Sequence, residues 1–140
     1  MKRHLALLLL LMVAAPPVSA DQDNVRCLRS IGVQPLIRIQ FDVGSDSDSN
    51  GSVLYQGGTG PIPLKLLKVT ELRRGVGGRP SEFETQWLEW TGPASAGRYV
   101  YTNQGALIDD FRYIRKDGRI FKFVDDADAL DVGRCTWAPP

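Results

Sequence analysis

Histidine is all but missing from this chain of 140 residues, the one present being His4. Cysteine and methionine are scarce too, at two each. The two methionines, Met1 and Met12, lie with His4 inside the first twenty residues. From residue 21 onward the chain therefore cannot assemble a Ser/His/Asp triad, a Cys/His pair or a histidine-ligated zinc or iron site. What is left to an enzyme is paired-carboxylate chemistry or a Ser/Lys arrangement. Strong charge of either sign is also absent. Taking Lys2 and Arg3 from the 17 basic residues leaves 15, against 16 acidic ones. A near-neutral domain exerts no general pull on nucleic acid or on an anionic membrane, and neither is expected as a partner.

The composition that remains, 43% hydrophobic and 24% charged, is that of an ordinary folded domain and excludes disordered, collagenous and coiled-coil classes. Lys2 and Arg3 open the chain, Leu5 to Ala15 is apolar without a break, and Pro16 and Pro17 precede the small residues Val18, Ser19 and Ala20. This is the layout of a secretory signal peptide with cleavage after Ala20. The apolar run is well short of the roughly 20 residues that a transmembrane helix needs. Residues 1–20 are thus read as a targeting segment and residues 21–140 as a single exported domain, periplasmic or secreted, without a transmembrane segment.

In an oxidising compartment Cys27 and Cys135, near the two ends of that domain, are expected to form one disulfide. Such a closure stabilises the fold by about 4 to 5 kcal/mol in the chain-entropy model. With both thiols used, cysteine chemistry is excluded as well.

Between the cysteines, short runs of alternating apolar and polar residues are separated by turn residues, and the spacing of a long amphipathic helix never occurs. The reading is all-β: a small antiparallel barrel or sandwich of about seven strands. Strands are expected at residues 36–43, 52–56, 62–72, 82–90, 98–103, 107–115 and 120–124. Asn50-Gly51 and Asp117-Gly118 provide hairpin turns, and residues 91–97 another turn region. Both faces of residues 62–72 are partly apolar, which suggests a central strand. In 82–90, Phe83, Thr85 and Trp87 share one face while Glu82 and Glu84 share the polar one. Residues 125–130 are read as one short helical turn.

Four groups of residues are candidates for chemistry. Glu71, Glu82, Glu84 and Glu89 could provide a carboxylate pair for a cell-wall glycan hydrolase, although strand carboxylates usually just meet water. Asp46, Asp48 and Asn50 match the first half of an EF-hand calcium loop, but Gly57 stands where the bidentate glutamate belongs and no helix flanks the segment. The acidic run Asp125, Asp126, Asp128 and Asp131 is read as a solvated face. Arg73-Arg74-Gly75-Val76-Gly77-Gly78-Arg79 lacks the Gly-Lys-Ser/Thr ending of a phosphate loop and reads as a flexible basic loop. Its arginines could enter an acidic cleft on a partner, since the guanidinium fork pairs bidentately with carboxylates.

Ser95-Ala96-Gly97-Arg98-Tyr99 followed by Asn103-Gln104-Gly105-Ala106-Leu107 resembles the paired motifs of the periplasmic C-type lysozyme inhibitors, which are small secreted β-barrels with a disulfide. In that family serine directly precedes the first glycine and lysine the second; here Ala96 intervenes and Gln104 replaces the lysine. The resemblance is confined to residues 95–107 and implies only a partner class, a secreted hydrolase.

The expectation from sequence is a non-catalytic binding protein without a cofactor, possessing an extracytoplasmic protein partner. An inhibitor or immunity-type partner of a secreted enzyme or toxin is the specific form. Arg73, Arg74, Arg79, Trp90, Arg98, Tyr99 and Tyr101 are the candidate contacts. The alternatives are a small-ligand carrier with an apolar barrel pocket and the carboxylate-based hydrolase.

Overall fold

The computed structural model describes residues 24–44, 50–92 and 95–138. The expected signal peptide and the calcium-loop residues Asp46 and Asp48 lie outside them. Eight antiparallel strands, each hydrogen-bonded to the next in sequence and the last to the first, close into a barrel. They are β1 Val25–Ile31, β2 Arg38–Asp42, β3 Asn50–Tyr55, β4 Ile62–Arg73, β5 Glu82–Trp90, β6 Ser95–Gln104, β7 Leu107–Arg115 and β8 Ile120–Asp125. A 3-10 turn, Ala127–Ala129, and the two-residue strands β9 Leu130–Asp131 and β10 Arg134–Cys135 complete the chain order.

Period-two patterning dictates the barrel. On β5 the residues Thr85, Trp87 and Glu89 are buried in alternation, and across the ladder Thr85 faces Tyr101 and Trp87 faces Tyr99. An eight-stranded barrel is just wide enough for side chains to fill, and here aromatic rings fill it. Phe41 of β2 is the hub, with Trp87, Tyr99, Tyr101 and Phe111 all at ring-centroid distances of 5.0 to 6.4 Å, mostly edge-on or tilted.

The strand missing from the sequence reading is β1, which closes the barrel by pairing with β2 on one side and β8 on the other. Its outward face carries Cys27, and this is covered by the end of the chain. Cys27 and Cys135 are joined by the expected disulfide. Both pack with Ala129, Ala138, Leu54 and Trp137 in a small cluster outside the barrel. Backbone bonds from Asp126 N to Cys27 O and from Cys135 N to Gln40 Oε1 hold the segment there.

Three local expectations are corrected. Asn50-Gly51 is no turn: both residues lie in β3, opposite Lys65 and Leu64. A Cβ on Gly51 would sit 2.5 Å from Asp42 O, so glycine serves a close approach of strands there. Residues 95–97 belong to β6 and not to the preceding turn. The third concerns β4, which is not central along its length. Among the described residues its ladder with β3 ends at Lys65, and from Leu66 to Arg73 it pairs only with β5. Leu67, Val69 and Leu72 are consequently about half exposed. Two register shifts and Lys68 fall on this free edge, the usual means by which an edge is kept from pairing with another chain.

Candidate functional site

At one end of the barrel stands the β4–β5 hairpin, whose loop, expected from sequence to be flexible and basic, makes several contacts of its own. Gly75 N donates to Ser81 Oγ, and Arg79 N donates to Val76 O. The carbonyl of Arg79 passes so close to Gly75 that a Cβ would lie 1.9 Å from it. Gln104 of the neighbouring β6–β7 turn donates to Pro80 O. The loop is held from within and from the side, yet its tip is bare: Val76 is 79% exposed. Arg73 and Arg74 stand beside it, paired to Glu82 at 2.7 Å and to Glu71 at 3.1 Å. These surface pairs contribute little to stability; they fix where two guanidinium groups point.

The other sequence candidates do not converge on this hairpin. Trp90 and Arg98 lie at the opposite barrel end, Trp90 half-buried under Lys65, whose Nζ is 3.8 Å from the ring centroid. Arg98 is exposed on the outer wall between Leu88 and Ile114. Tyr99 and Tyr101, with 0% and 6% exposure, belong to the core and form no exposed patch with Trp90, although Tyr101 also lines the cavity described below.

Tyr99 instead anchors a buried polar cluster. Its hydroxyl donates to Glu89 Oε2 at 3.1 Å, so the hydrogen bond between Tyr55 and Tyr99 takes its proton from Tyr55. Tyr113 is also hydrogen-bonded to Glu89. Burial pushes the Tyr55 hydroxyl up to about 12, and burial followed by the neighbouring tyrosine and glutamate raises Tyr99 further. Tyr113 is raised by burial first and by Glu89 second.

The four candidate carboxylates have different surroundings. Glu82 and Glu89 stand at opposite ends of β5, about 23 Å apart at 3.3 Å per residue. Glu84 faces Arg112 and Gln86 on the outer wall, and Glu71 is tied to Arg74. Of the acidic run, Asp125 and Asp126 face Arg26 and Arg38. Among the described residues no group of three or more His, Cys, Asp or Glu could hold a metal ion.

Sequence reasoning missed a second feature at the hairpin end, the mouth of the barrel. A cavity of about 290 Å³ opens there, floored by Phe41, Val43 and Ile108 and rimmed by Asn24, Arg26, Thr85, Tyr101, Asn103 and the Gly105-Ala106 turn. The available signal was weak: Arg26 is a charged residue at an inward register of a strand that was itself not recognised.

Compared with protein-family models, curated proteins and solved structures, the chain finds no match.

Proposed function

We propose that this protein is an exported, non-catalytic binding protein, an inhibitor or immunity-type partner of a secreted enzyme or toxin, and that the β4–β5 hairpin is its partner-facing element. The observation that carries the reading is a loop with contacts of its own that is nonetheless exposed. Its hydrogen bonds and the Gly75 to Arg79 contact hold its shape, while Val76, Leu72, Arg73 and Arg74 face solvent. A preorganised loop loses little conformational freedom on docking, which is where binding elements gain affinity. Its mixture of exposed apolar side chains and directed arginines suits a cleft with acidic groups, such as a hydrolase active site. The Cys27–Cys135 disulfide supports an oxidising compartment, and no helix among the described residues is long and apolar enough to cross a membrane.

The test is capture from the native extracytoplasmic extract, with tagged protein expressed from the complete sequence and oxidised, beside a Val76→Asp/Arg74→Glu double variant. The expected result is a hydrolase or toxin retained stoichiometrically by the native protein and lost with the variant at unchanged thermal stability. An empty eluate, or equal retention by the variant, overturns the assignment.

A further inference from the structure

The cavity at the barrel mouth has a polarity that its hydrogen bonds fix. The indole of Trp87 can only donate, and its Nε1–H points at Tyr101 Oη, 3.1 Å away in the buried interior. Tyr101 Oη therefore accepts from the indole and is also hydrogen-bonded to Thr85. The Thr85 hydroxyl in turn donates to Asn103 Oδ1 at 3.2 Å. The acceptor in this last bond is the amide oxygen of Asn103. Its amide nitrogen, with two N–H groups, is what Asn103 has left for the cavity that it rims.

Across the same cavity stands Arg26, inward on β1. One nitrogen of its guanidinium donates to Ala106 O at 2.8 Å, holding the planar group against the β6–β7 turn. The other terminal nitrogen is 3.9 Å from Asp125 Oδ2, too far for a hydrogen bond, and Asp125 is half exposed. Arg26 thus keeps free donors while being fixed in position. Two donor groups, one of them cationic, thus line the same cavity as Phe41, Val43 and Ile108.

We propose that this mouth binds a carboxylate joined to a small apolar body, the carboxylate between Arg26 and Asn103 and the apolar part on Phe41, Val43 and Ile108. A guanidinium and an amide present N–H groups that a carboxylate's two oxygens can accept together, and a cavity of about 290 Å³ admits a short acid or one side chain or chain end, not a larger cofactor. The source of the carboxylate is either a free small acid or a peptide's C-terminal end. The inference does not depend on the hairpin's partner: a free acid would bind whether or not a protein does.

The test is a titration of the oxidised protein, expressed from the complete sequence, followed by nuclear magnetic resonance of the Arg26 Nε–H and Asn103 side-chain amide signals. The probes are butyrate, butyramide as its neutral counterpart, and a short peptide ending in leucine as the free acid and as the amide. Both acids, or one of them, are expected to shift the two signals saturably while the amides do not; which acid binds more tightly names the source. Asn103→Asp, which sets a like charge against the ligand, is expected to weaken binding by about tenfold or more, and Asp125→Asn, which frees Arg26 of its competitor, to tighten it severalfold. Both changes are at the barrel rim, and dispersed spectra verify the fold of each variant. Signals unmoved by either acid, moved equally by the amides, or affinities indifferent to both substitutions overturn the proposal.

Discussion

The hydroxyl of Tyr99 donates to Glu89 Oε2 at 3.1 Å across the β5–β6 ladder, with Glu89 6% and Tyr99 0% exposed. A carboxyl group inside an aromatic barrel is tolerable only because hydroxyls meet it there. Tyr99→Phe removes a donor and leaves the glutamate short, which is expected to cost about 1 to 3 kcal/mol. Glu89→Leu removes the need for that donor. Denaturant midpoints of the two single variants and the double should therefore be non-additive, with a coupling of about 0.5 to 3 kcal/mol. Additive losses would show that the contact is incidental.

The tyrosines also set an alkaline limit. All four in the chain are held above the ordinary value of 10.0, Tyr55 at about 12 and each chiefly by burial. The folded protein keeps these protons at a pH where the unfolded chain releases them. Stability is thus undiminished below pH 10 and falls as pH rises from 10 through 12, by up to about tenfold in the folding constant per pH unit for each tyrosine kept neutral. Unfolding and tyrosinate absorbance, followed together, should appear as one transition. Tyrosinate forming stepwise in a protein that stays folded would contradict it.

Removing the disulfide through Cys27→Ala and Cys135→Ala should cost about 4 to 5 kcal/mol, given a sequence separation of 108. The first region released should be the segment from Asp126 to Ala138, whose cover over β1 consists of little besides the small outer cluster. Hydrogen exchange would read this as lost protection at Thr136 N and Ala138 N, which bond to Ala129 O and Cys135 O, before any loss in the barrel ladders.

Gly75→Ala separates the hairpin from the barrel. The added methyl meets Arg79 O at 1.9 Å, so the loop must open, while the ladders of β4 and β5 below it remain. Partner capture should fall by about tenfold or more as the preorganised shape is lost, with global stability reduced by no more than about 1 to 3 kcal/mol. Unchanged capture would move the partner surface elsewhere on the barrel.

Seven of the eight barrel strands were legible as short apolar-rich runs between turn residues, most of them alternating between apolar and polar. β1 was not, since its inward register holds Arg26 and Ser30 while its outward one holds Cys27, buried under a segment more than a hundred residues later. Ser30 is buried because it caps the neighbouring chain, accepting from Ile37 N at 2.9 Å. Glu89 illustrates a different blindness. The face of Phe83, Thr85 and Trp87 continues directly to it, yet it was grouped with carboxylates that usually meet water, since a lone glutamate gives no sign of the tyrosines that await it from β3, β6 and β7. For β4 the apolar content was read correctly and its meaning was not: Leu67, Val69 and Leu72 lie where, among the described residues, β4 has β5 as its one neighbour, because β3 begins only at Asn50, opposite Lys65. The arginines of the hairpin were visible as a charge cluster, whereas the shape of their loop depends on contacts from Ser81 and Gln104.

The ladder between β1 and β8, with Leu28 opposite Asp125, bears on how the chain is assembled. Seven of the eight ladders join neighbours in sequence and can form as a meander while the polypeptide is still emerging. The eighth waits for the last barrel strand to arrive. Until then the nascent sheet has two open sides and the ring of aromatics around Phe41 is uncovered, the condition in which β proteins aggregate. Once the seam forms, the disulfide spans it on the outside, so oxidation at Cys27 and Cys135 reports completed closure and, by resisting reopening, makes the final step of assembly the one that is hardest to undo.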